Sequence, residues 1–85
     1  MNNNLGLRTS SAVFVARFSD GETTRMTTYA PPGKLDVARG MRLAQHAYRS
    51  RTGREPPAFV EAHFECAGTG ECLATYDAKT LGALP

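Results

Sequence analysis

The chain has 85 residues, 41% apolar and 21% charged, with ten basic residues against eight acidic ones for a net charge of +2. That composition allows one domain with one core and is too apolar for a disordered chain. It contains no apolar run of about 18 residues to span a membrane, its two cysteines are too few for a disulfide scaffold, and no motif in it names a reaction.

Residues 1–10, beginning Met1-Asn2-Asn3-Asn4, read as a flexible tail ahead of a single α+β domain over residues 11–85. The start lacks the apolar core of a secretory signal, so a cytoplasmic location with reduced cysteines is expected. Ser11–Phe18 is rich in Val and Phe and reads as a strand. Asp20-Gly21 signals a hairpin, and the Thr-rich Thr23–Tyr29 reads as the return strand. Pro31 and Pro32 stop the pairing, since proline has no N–H to donate.

Asp36–Thr52 reads as the one long helix, with Asp36 as N-cap and Gly53 as the left-handed residue past its end. Val37, Met41, Ala44 and Tyr48 form its apolar stripe. Gly40 costs a helix about 1 kcal/mol relative to alanine, and close approach to a strand would explain it. Ala58–Cys66 alternates, with Ala58, Val60, Ala62, Phe64 and Cys66 on one face and Phe59, Glu61, His63 and Glu65 on the other. After a turn over Ala67–Gly70, Glu71–Tyr76 is the last strand, and Asp77 caps a short helical turn through Leu81.

The sum is a ββαββ two-layer sandwich, a four-stranded, mainly antiparallel sheet with one helix on one face. Order 2-1-3-4 makes every neighbour antiparallel and is preferred to 1-2-3-4. A lone helix covers one sheet face only. Val13, Val15, Arg17, Phe59, Glu61 and His63 then share the open face, joined by Arg25 and Tyr29 in one hairpin register or by Met26 in the other. Its apolar members point to a protein partner or a self-dimer, unless Leu5, Leu7, Leu81 and Leu84 fold back over them.

Eight of the ten basic residues are arginine, and five of those lie between Arg39 and Arg54. Arg39, Arg42, His46 and Arg49 fall within about 80° of the outer helix face. No acidic residue lies between Val37 and Gly53 to neutralise them. Such a ridge either is ordinary solvated surface or docks on phosphates or an acidic protein surface.

No catalytic site, cofactor, resident metal or small-molecule substrate is expected. His46 and His63 fall on opposite sides of the core. Glu61, His63 and Glu65 share a strand face, but ion pairs with Arg17 and Arg25 explain them better than proton transfer or metal binding. His63, Cys66 and Cys72 spell H-x2-C-x5-C and lack a fourth zinc ligand. A disulfide would need Cys66 and Cys72 opposite each other. Gly68-x-Gly70 is a turn device, with no helix after it to bind phosphate.

In size, layout and lack of catalytic motifs the chain is similar to small inhibitors from phages and mobile elements, such as anti-CRISPR proteins. The similarity is one of profile, carries no residue motif and transfers no site. The expectation is a small non-enzymatic protein-binding module that regulates or inhibits a larger partner. The alternative is a nucleic-acid-binding protein that uses the arginine-rich helix face.

Overall fold

A computed structural model describes residues 10–30 and 35–83, except for the side chains of residues 10, 29 and 30. The elements run β1 (Ser10–Phe18), β2 (Thr23–Ala30), α1 (Val37–Thr52), β3 (Phe59–Cys66), β4 (Cys72–Asp77) and α2 (Ala78–Gly82). The sheet order is β2-β1-β3-β4 and every pairing is antiparallel. The expected ββαββ sandwich and its 2-1-3-4 order are therefore present. β1 already starts at Ser10; the rest of the expected tail and the Pro31-Pro32 stop lie outside the described residues.

The hairpin turns at Asp20 and Gly21, closed by Phe18 N–H donating to the Glu22 carbonyl at 2.8 Å. Asp36 caps α1 as its sequence implies, its carboxylate accepting from the Arg39 N–H at 3.0 Å. At the other end Gly53 adopts φ 74°, a left-handed conformation that side chains disfavour, and its N–H returns to the Arg49 carbonyl at 2.8 Å. A second cap, Asp77 accepting from the Thr80 N–H at 2.8 Å, starts α2.

Both helices lie on one sheet face. α1 packs over β1 and β2, while α2 packs over β3 and β4. The core between the layers takes Ala12, Phe14, Ala16 and Phe18 from β1, Met41, Ala44 and Tyr48 from α1, and Leu81 from α2. Phe14 stacks obliquely on Phe64 at 4.9 Å between ring centroids. Gly40 is buried against the Phe14 ring, so the helix glycine marks the close approach its position suggests. Leu81 is in this core and not over the outer face; Leu5, Leu7 and Leu84 lie outside the described residues.

Phe59 is a correction. The alternation of β3 puts it outside, yet it is buried in the core and stacks on Phe18 at 4.8 Å. The cause is a register shift between Arg17 and Phe18, which sets Phe18 against Phe59 while Arg17 stays against Glu61. A bulge of this kind adds one residue and breaks the two-residue period. Val60, expected in the core, is left half-buried.

Candidate functional site

The outer sheet face carries Val13, Val15 and Arg17 from β1, flanked by Thr23, Arg25 and Thr27 from β2 and by Glu61, His63 and Glu65 from β3. The first hairpin register is thus the correct one: Arg25 joins this face and the half-buried Met26 faces the core beside Phe14. The side chain of Tyr29 lies outside the described residues.

This face closes on itself. Arg17 Nε donates to Glu61 Oε2 at 3.1 Å, directly across the strands. Arg25 Nη2 donates to Glu65 Oε1 at 2.9 Å. Because β1 lies between β2 and β3, that second bridge crosses over β1 at the level of Val13 and Val15. Long arginine stems cover apolar surface well, and both valines are half-buried. With Phe59 withdrawn into the core, little bare apolar surface remains on this face among the described residues.

His63 Nε2 lies 2.7 Å from Glu65 Oε2. A carboxylate only accepts, so this nitrogen carries the hydrogen. The His63 contact first, and Arg25 second, hold the Glu65 carboxyl below its ordinary value of 4.5. His63→Ala and Arg25→Ala are each expected to raise the Glu65 pKa, read by NMR titration. The sign for stability follows from linkage. A carboxyl held low in the fold stabilises above its unfolded pKa and loses that contribution as pH falls through its folded one. The loss therefore begins near pH 4.5 and deepens below it. Glu65 titrating at its ordinary value in the native protein would show that the cluster does not form in solution.

The thiols are free. Cys66 pairs with core-facing Ala12 and Cys72 with outward Glu65, so the two occupy opposite faces and cannot join in a disulfide. The Thr69 hydroxyl, then the backbone N–H groups of Thr69 and Gly68, hold the Cys66 thiol below its ordinary value. Among the described residues no three His, Cys, Asp or Glu side chains are placed to share a metal ion. None of the described helices is long and apolar enough to cross a membrane.

The helix ridge forms the second surface. Arg39, Arg42, His46 and Arg49 are all exposed. The end near the helix C-terminus is partly neutralised. Arg49 pairs with Glu55 at 3.3 Å, and Arg51, beyond the ridge, pairs with Glu22 at 2.8 Å. Arg39, Arg42 and His46 have no ion-pair partner among the described residues. They span about 10 Å of helix. Leu43 is half-buried one turn from Arg39, and Leu35, just before the N-cap, is 36% exposed. The sequence carried a signal for Leu43 in its i+4 spacing from Arg39; nothing in the sequence marked Leu35 as exposed.

No protein-family model, curated protein or solved structure matches the chain.

Proposed function

We propose that this chain is a non-enzymatic cytoplasmic module that docks on an acidic surface of a larger protein and regulates or blocks it. The contact is the outer face of α1, with Arg39, Arg42 and His46 as its charged centre and Arg49 at its edge. The carrying observation is that these three basic groups have no ion-pair partner among the described residues, with Leu43 one helical turn from Arg39 and Leu35 exposed just before the helix. Arginine supplies planar, bidentate contacts to carboxylates. Leu35 and Leu43 supply apolar anchors of the kind found at protein interface cores, for which a phosphate backbone has no use. Glu22 and Glu55, by neutralising the far end of the helix, favour a compact acidic patch over a long polyanion.

Comparative affinity capture tests this. Wild type, the Arg39→Glu/Arg42→Glu double variant and Arg17→Ala serve as baits for one lysate. The expected result is a protein held by wild type and Arg17→Ala and lost by the double variant, with affinity reduced at least tenfold, about 1.4 kcal/mol. Equal retention by the double variant overturns the reading. Tight binding of a duplex DNA probe that weakens steeply with salt would replace it with nucleic-acid recognition.

A further inference from the structure

We propose that docking through the outer face of α1 is governed by pH, with His46 as the switch: the contact takes up a proton, so it tightens in mild acid and loosens above neutrality. The inference rests on the docking face proposed above, and His46 sits inside that face. Arg42 precedes it by four residues and Leu43 by three, so a partner that touches both also covers the His46 ring. The ring is exposed and has no ion-pair partner among the described residues. The charged groups around it are Arg39, Arg42 and Arg49 on α1, and Glu55, which reaches Arg49 from beyond the helix end at 3.3 Å. β1 and β2 pack against the opposite, apolar side of α1 and present no titratable group to the ring. His63, the other histidine, lies on the outer sheet face, 2.7 Å from Glu65.

Histidine is the side chain whose charge ordinarily changes between about pH 5 and 8, whereas arginine stays charged throughout. An imidazolium at position 46 therefore adds a third unpaired positive charge to those of Arg39 and Arg42. Carboxylates of a docked partner favour that charged form. Linkage makes the effect reciprocal: whatever tightens the hold on the proton tightens the docking by the same factor. An opposite charge within about 4–6 Å is worth one pH unit or more, which is about tenfold in affinity. The gain is fully present below the histidine range and is gone above it.

The probe is a labelled peptide of about twelve residues, Asp-Asp-Leu repeated, whose carboxylates ordinarily titrate near about 3.9 and so stay charged above about pH 5.5. Its affinity for the full chain is measured at low ionic strength at about pH 7.5 and about pH 5.5. Wild type and His63→Gln are expected to bind about tenfold tighter at the lower pH. His46→Gln and His46→Arg, neutral and charged throughout, are each expected to bind equally at both. Calorimetry near neutral pH, in two buffers of different ionisation enthalpy, is expected to show proton uptake by wild type and none by His46→Gln. Any other titrating group is common to all four proteins, so the difference between them reads His46 alone. A pH dependence that is missing from wild type, or that survives in His46→Gln, overturns the switch. If Arg39→Glu/Arg42→Glu still abolishes binding in that case, the docking face stands without it. A peptide that binds no variant, or that binds the double variant as well as wild type, sinks the docking face and the switch together.

Discussion

Gly40→Ala is expected to destabilise the protein by about 1–3 kcal/mol, the usual cost of forcing an extra carbon into a packed site. Helix propensity alone argues the reverse, since alanine favours a helix over glycine by about 1 kcal/mol. The geometry decides the sign. A Cβ at position 40 would stand 2.7 Å from Phe14 Cγ and 2.8 Å from Cδ1. Cγ is the root of the ring, and Phe14 is fully buried against Phe64. The ring cannot swing aside, so α1 must lift or the sheet must bend. Phe14→Ala removes Cγ and both Cδ atoms and so relieves the clash, and in that background the cost of Gly40→Ala is expected to shrink by more than about 0.5 kcal/mol, a coupling typical of touching residues. Denaturant midpoints of the four proteins measure the cycle. A stabilised Gly40→Ala would mean that the helix and sheet do not approach this closely.

Phe59→Ala is expected to cost about 3–5 kcal/mol, the range for truncating a buried phenylalanine. A chain of 85 residues has roughly 4–13 kcal/mol in all, so this one change removes a large share. Were Phe59 on the outer face, as the alternation of β3 suggests, the change would stay within about 0.5 kcal/mol. Phe59 is 9% exposed, stacked on Phe18, which itself meets Tyr48 at 4.9 Å. Thermal unfolding separates the two outcomes.

Much of the fold is legible in the residues because it is locally encoded. Asp36 and Gly53 bracket α1 by chemistry that acts within one turn. The strand order follows from direction and apolarity: 2-1-3-4 leaves every neighbour antiparallel and puts β1 and β3, the two most apolar strands, at the centre. The Arg17–Glu61 pair was readable from parity once β1 and β3 were neighbours, while Arg25–Glu65 also needed the hairpin register, which the residues left open. The Phe59 bulge was not, because nothing in Ala58-Phe59-Val60 marks a break. Whether Phe59 or Val60 turns inward is set by the space beside Phe18, a contact between distant parts of the chain. The same holds for the ridge. Helical spacing placed Arg39, Arg42, His46 and Arg49 together, while the claim of Glu22 on Arg51 depends on where the hairpin turn lands.

The central place of β1 also sets the order in which the chain can finish itself during synthesis. The hairpin and α1 are complete once residue 52 has emerged, and the Tyr48 hydroxyl, donating to Asp20 at 2.6 Å, ties them together. One flank of β1 still waits for residues 59–66, so the nascent half-molecule shows an open ribbon bearing Phe14 and Phe18 until β3 leaves the ribosome.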